Sequence, residues 1–284
     1  MDDVARCVEL TQPDFVYYDI ECWSKGAKEA QSCTRCLEGQ KKSGKSMTEY
    51  LTDCGAEHFR DLKAAVKRGS KGGKMPKIGS YNHHMKRPVH HMVVDFRKAY
   101  PKYLDVAQPS LYVAGRALDV HKSIRGNYKL LNKKKVTLPW LTAGCYGEFA
   151  PYKLEQMILE TLLNGAKGFT YYCFSNFDNP LEYYYQAKAL KQIAPYENII
   201  TDGEVLEPTG SNKLLTYSGV KKGNEMLLLI GNYQGEKPAT TIKLPFKSIR
   251  QIKDLQSGKA VIAQNPLKIT VPSGKIRLLY INSK

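Results

Sequence analysis

Two carboxylates stand two residues apart in Asp14-Phe-Val-Tyr-Tyr-Asp-Ile-Glu21, a run rich in β-branched and aromatic residues. In an extended strand, residues i and i+2 face the same side, so Asp19 and Glu21 can both point into one site. A neighbouring negative charge disfavours ionisation, so one of the pair can keep its proton near neutral pH and act as a general acid. The plainer reading is a strand end whose carboxylates are solvated or paired with lysine. Just beyond, Cys22, Cys33, Cys36 and Cys54 form a group with the spacing C-x10-C-x2-C-x17-C. Four thiolates would close the coordination shell of a structural zinc, or the same residues could pair as disulfides. Seven cysteines in all exclude a fully paired disulfide framework. His83, His84, His90 and His91 are a second group of metal-ligand type, although adjacent pairs of this kind are more often surface histidines.

Strands and helices must alternate to hold these residues. The spacing predicts strands at 14–21, 77–82, 104–110, 136–142 and 168–174. It predicts helices at 46–68, 90–100, 117–131, 152–163 and 180–193. The helix at 152–163 reads as amphipathic and stops at Asn164-Gly165, and the last helix is closed by Pro195. The opening Met1–Leu10 also reads as helical, with Val4, Cys7, Val8 and Leu10 on one side. Alternation of this kind implies βαβ units and a parallel sheet or barrel. From about residue 198 the pattern changes to short strands separated by Gly, Pro and Asn turns, which reads as a compact antiparallel sandwich. The expected organisation is therefore an α/β region at 1–197, a partial or complete (β/α) TIM-type barrel, followed by a small all-β sandwich at 198–284.

Composition narrows the partners. The 284 residues carry 43 Lys and Arg against 27 Asp and Glu, a net charge of +16 that attracts anions in general. The lysines are spread along the whole chain, and no nucleic-acid module pattern is visible, so a nucleic-acid partner is not expected and an acidic polysaccharide is one open reading of the charge. No apolar run is long enough to cross a bilayer. The opening residues have no apolar core of a secretory signal.

Several segments resemble the second half of (β/α)8-barrel glycoside hydrolases. Asn164-Gly-Ala-Lys-Gly-Phe-Thr-Tyr-Tyr-Cys-Phe174 and the helix after it resemble the eighth strand and helix of such enzymes, ahead of a sandwich domain. Leu138-Pro-Trp-Leu-Thr-Ala-Gly-Cys-Tyr-Gly-Glu148 resembles the seventh strand and its loop, and Asp14–Glu21 resembles the fourth strand, where many of these families carry the catalytic acid. Asp14, Asp19 and Glu21 also match the chitinase-like pattern D-G-x-D-x-D-x-E, with Phe15 in place of the glycine and Tyr17 in place of an acid. Counting back from the end numbers the five strands four to eight. The first three would then be absent or supplied by a second chain.

The resemblance implies hydrolysis of a glycosidic bond in a poly- or oligosaccharide. Glu21 would be proton donor, Asp19 would tune it, and Glu148 would be nucleophile or base. Glu148 could equally open the next helix, where a negative charge suits the helix dipole. Trp23, Tyr81, Asn82, Tyr146, Tyr172 and Asp178 are the expected substrate contacts, since ring faces stack on sugar C–H faces and polar tips bond hydroxyls. Asp178 is also a reserve partner for Glu21. No cofactor is required by this chemistry, and the parent enzymes are expected to work outside the cell or in the periplasm. The alternative is a non-catalytic carbohydrate-binding protein, or an inactive truncated barrel, that keeps the aromatic face.

Overall fold

The computed structural model describes residues 1–19, 27–82, 95–111, 116–134, 136–143, 150–171, 177, 179–235 and 237–283. They form two compact units, Met1–Ser110 with Leu130–Asn132, and Leu111–Lys129 with Lys133–Lys284.

The first unit runs α1 (Asp2–Thr11), β1 (Phe15–Tyr18), α2 (Ala27–Ala30), α3 (Thr34–Ser43), α4 (Met47–Gly69), β2 (Lys77–Asn82), α5 (Phe96–Ala99) and β3 (Val106–Pro109). Helix α4 starts where Ser46 and Glu49 make a capping box: the Glu49 N–H donates to the Ser46 hydroxyl, and the Ser46 N–H donates to the Glu49 carboxylate. These bonds satisfy two of the donors that a helix start leaves open. The apolar stripe of α4, with Phe59, Leu62, Ala65 and Val66, is fully buried. Strands β1, β2 and β3 pair in parallel in that order, Tyr17 opposite Gly79 and Tyr81 opposite Gln108.

The second unit begins with α6 (Ala117–Leu130), β4 (Trp140–Leu141), α7 (Tyr152–Leu163), β5 (Thr170–Tyr171), α8 (Pro180–Ile193) and α9 (Glu197–Asp202). It continues as β6 (Glu204–Leu206), β7 (Thr216–Lys222), β8 (Glu225–Gly231), β9 (Ala239–Ile242), β10 (Ile249–Asp254), β11 (Ala260–Val261), β12 (Leu267–Thr270) and β13 (Ile276–Ser283). Strands β4 and β5 pair in parallel. The remaining strands form an antiparallel sheet in the order β11-β10-β13-β8-β7-β6 and an antiparallel β12-β9 pair. The chain is thus mixed α/β with an antiparallel sheet in its last third.

Strand β8 carries an unbroken apolar run, Met226-Leu-Leu-Leu-Ile230, because both faces of its sheet are covered. Leu227 and Leu229 share a core with Val120, Ile124, Ile158 and Leu162 of α6 and α7. Met226, Leu228 and Ile230 share the other core with Ile242, Leu267 and Ile269 of the β9–β12 pair. A strand covered on both sides loses the in–out alternation of a half-exposed one.

Helix α7 departs from the amphipathic expectation. Every residue from Leu154 to Leu163 is buried, including Glu155, Gln156, Glu160 and Thr161. The helix packs against α8 and against β7 and β8, so it has no wet face, and its carboxylates are buried only because partners reach them. Gly165 ends this segment with φ +104°, and a Cβ there would lie 2.6 Å from Cδ2 of the Tyr128 ring. A side chain at 165 meets both a left-handed backbone and a ring that cannot give way. Gly165→Ala is expected to cost about 1–3 kcal/mol, read as a lower denaturant midpoint with an unchanged slope.

Candidate active site

In parallel sheets, sites form at the carboxyl ends of strands. In the first unit that edge is Tyr18-Asp19, Tyr81-Asn82 and Pro109-Ser110. Which face is available follows from Tyr18: its hydroxyl lies 2.6 Å from Nε2 of His58, and its ring meets Phe59 edge-on, so it points to α4. Ile78, Ser80 and Ala107, completely buried, lie on that same face by alternation and register. Tyr17 therefore points the other way, with Gly79, Tyr81 and Gln108, and Asp19 is the first residue past the end of β1.

Asp19 is exposed, while Tyr81 and Gln108 on this second face are buried. The glycine at 79 makes room for them. A Cβ there would stand 2.4 Å from Gln108 Oε1 and 2.6 Å from Phe15 Cζ, so the Gln108 amide fills the space over the strand. Gln108 was not anticipated from the sequence. Its signal was a lone amide in the apolar Val106-Ala-Gln-Pro109, beside a strand that contains a glycine. The chemistry on offer at this edge is an exposed carboxylate at the end of β1 together with phenols and an amide, groups suited to bonding hydroxyls.

Asp14 belongs elsewhere. It is exposed at the start of β1, 2.8 Å from the Lys74 ammonium, whose hydrogen bond and charge hold its carboxyl below the usual range. It stands five positions before Asp19, about 16 Å of extended chain. Glu21, Trp23, Tyr146, Glu148, Tyr172, Asp178, the ligand-type histidines and Cys22 lie outside the described residues, as does the side chain of Asn82. At the ends of the β4–β5 pair, Tyr171 is a core residue rather than an open stacking surface. It packs edge-on against Phe177 at 4.8 Å, and burial pushes its phenol pKa far up.

Three of the cysteines gather around Tyr50. Cys33 stands at the N-cap position of α3, and its interaction with Cys36 lowers the Cys33 pKa and raises that of Cys36. Cys36 and Tyr50 pack in one small cluster, and Cys54 on α4 raises the Tyr50 pKa. Among the described residues, no group of three Cys, His, Asp or Glu is disposed to hold a metal. The asymmetry favours the Cys33 thiolate. Iodoacetamide should therefore alkylate Cys33 before Cys36, followed by peptide mass spectrometry, and Cys36→Ser should slow the reaction at Cys33.

The strongest electrostatic feature lies in the second unit. Glu160 has no exposed surface, yet five groups hydrogen-bond to it. One oxygen accepts from Ser218 Oγ at 2.6 Å and Asn164 Nδ2 at 2.8 Å and lies 3.0 Å from His121 Nδ1. The other accepts from the Tyr233 hydroxyl at 2.8 Å and Thr216 Oγ1 at 3.3 Å. Burial alone would raise the Glu160 pKa, but the bonds from His121, Ser218 and Tyr233 outweigh it and the pKa is lowered. Beside it, Arg125 donates to Asn164 Oδ1 and to the Leu206 and Tyr217 carbonyls, which ties α6 and α7 to β6 and β7. The hydrogen bonds of this carboxylate join α6 and α7 to β7 and the segment after β8.

A folded pKa below the unfolded value of about 4.3 makes the Glu160 contribution complete above that pH and lost as pH falls through the folded value. Acid unfolding should steepen below pH about 4, and Glu160→Gln should flatten that dependence. Glu160→Ala should cost about 3–5 kcal/mol and Ser218→Ala about 1.5–3 kcal/mol in urea denaturation.

The parallel strand edges, intervening helices and terminal antiparallel sheet together have the fold of solved α/β glycoside hydrolases. An alpha-amylase from Anoxybacillus matches with a TM-score of 0.57 at 10% identity, covering 100% of this chain and 62% of that one. An alpha-amylase from Geobacillus thermoleovorans, solved in complex with acarbose, matches with a TM-score of 0.56 at 11% identity, covering 86% and 65%. A maltogenic alpha-amylase from Thermotoga neapolitana matches with a TM-score of 0.51 at 11% identity, covering 79% and 59%. The chain therefore spans roughly three fifths of the length of the structures it matches. No protein-family profile and no curated protein sequence matches it. No helix among the described residues is long and apolar enough to cross a membrane.

Proposed function

We propose that this chain is a glycoside hydrolase of the (β/α)-barrel type, with a terminal β-sandwich, acting on a poly- or oligosaccharide. The observation that carries the reading is the strand-end face of Tyr17, Tyr81 and Gln108, turned away from the helix-packed face, with Asp19 at the end of β1. In this reading Glu21, two residues beyond Asp19 in the sequence, donates the proton to the leaving oxygen. The Asp19 carboxylate disfavours ionisation of Glu21, and Glu148 acts as nucleophile or base. Trp23, Asn82, Tyr146, Tyr172 and Asp178 join Tyr81 around the sugar. The three solved neighbours described above are amylases, and one of them holds acarbose, which makes α-glucans the first substrates to try.

A second reading is favoured by one structural fact. The described residues contain five parallel strands, in separate sheets of three and two, where a closed barrel has eight. A protein of this kind could bind carbohydrate without turning it over, or act when a second chain completes the barrel. Reducing-sugar release from soluble starch and pullulan, with binding measured by calorimetry, separates these readings. The hydrolase reading expects turnover that falls by about 10²–10⁴-fold in Glu21→Gln with binding retained. Glycan binding with no turnover in the unmutated protein, and no change in Glu21→Gln, would establish the binding reading instead.

A further inference from the structure

Within the second unit a cleft of about 670 Å³ opens beside α7, α8 and the β10–β11 and β12–β13 turns, lined in part by Tyr152, Tyr185, Gln256, Lys259 and Lys275. Its two acids are already spent. Glu155 is bound by Lys188 at 2.9 Å, Gln192 at 3.1 Å and Gln256 at 3.4 Å. Asp254 is bound by Arg277 and by the N–H groups of Gln256 and Ser257 at 2.8 and 3.0 Å. Both carboxylates are nearly inaccessible to water. What remains toward the open side is cationic. Lys259 and Lys275 are exposed, and neither has a carboxylate partner among the described residues.

One of these two cations is also held in place: the Lys275 ammonium lies 5.4 Å over the Tyr152 ring, within cation–π range. A lysine restrained in this way loses less side-chain freedom when it meets an anion. The amide of Gln256 and the two phenols provide groups that bond hydroxyls. The volume is within the range of small-ligand sites.

We propose that this cleft binds an acidic sugar residue of a glycan, a uronate or a sulfated unit, through Lys259 and Lys275. The site shares no residue with the strand-end face and does not depend on the hydrolase reading. Phosphate recognition is disfavoured by the same geometry. The one guanidinium of the lining is occupied by Asp254, and the loop N–H groups that could cradle a phosphate donate to that carboxylate too. Lysine point charges spread over an open, tyrosine-bearing wall suit a carboxylate or sulfate carried on a hydroxyl-rich ring.

The test is binding of the full chain to tetragalacturonate, to a heparin-derived tetrasaccharide, to neutral maltotetraose and to a single-stranded DNA oligomer. The Lys259→Gln/Lys275→Gln variant is measured in parallel, with circular dichroism confirming that it folds. The proposal expects at least one acidic tetrasaccharide to bind, with affinity reduced about tenfold or more in the variant. It also expects binding to weaken as salt rises toward 1 M, where the Debye length is about 3 Å. Preference for tetragalacturonate would assign a uronate, and preference for the heparin fragment a sulfated sugar. Equal binding of maltotetraose, equal binding of the DNA oligomer, no binding of either acidic probe, or a variant as tight as the unmutated protein would each overturn it.

Discussion

A carboxylate with no access to water is tolerable only if other groups replace the water, and Glu160 has five that do. Those groups come from α6, α7, β7 and the segment after β8, so the ion cannot be satisfied until all of them are in place. Arg125, donating to Asn164 and to two strand carbonyls, extends the same demand to β6. A partly satisfied network of this kind is worse than an apolar core, which makes the arrangement of helices on the sheet close to all-or-none. The apolar contacts of Ile158, Leu162, Leu227 and Leu229 supply attraction without direction. The hydrogen bonds to Glu160 supply the direction.

The parallel sheet of the first unit is governed by a steric constraint instead. Its two faces are set by which side chains can approach α4, and Tyr18, reaching His58, decides this for β1. Once Tyr18 points to the helix, Tyr17 must point away, because neighbours within a strand alternate. Gly79 has the corresponding role in β2, because its missing side chain admits the Gln108 amide. A candidate site at this edge thus depends on a phenol that faces the opposite direction and on a residue with no side chain.

Charge in this protein is handled in two ways. The buried acids Glu155, Asp254 and Glu160 each have several specific donors, whereas most ion pairs of the first unit, such as Lys74 with Asp14, are exposed and contribute little to stability. The excess of lysine is left for the surface. In the cleft beside α7 the buried acids bind their own partners, so the positive charge there is not neutralised from within.

Much of the architecture was legible in the chain. Strand Lys77–Asn82 and helices Tyr152–Leu163 and Pro180–Ile193 follow the expected limits, because apolar spacing and stop residues such as Asn164-Gly165 act locally. The short strands after residue 198 were legible for the same reason, turn residues marking their ends. The nature of α7 was not. Glu155 and Glu160 look like the wet side of an amphipathic helix until α8 and β7 bring Lys188 and Ser218 to them from 33 and 58 residues away. Likewise the two-residue period of a strand set the expectation that Asp19 and Glu21 share a face, whereas β1 ends at Tyr18 and Glu21 lies outside the described residues. Which way Tyr17 faces, that Asp14 is ion-paired, and that Gln108 joins Tyr81 were decided only by tertiary structure. Those outcomes depend on register and on neighbours distant in sequence, and no local pattern encodes either.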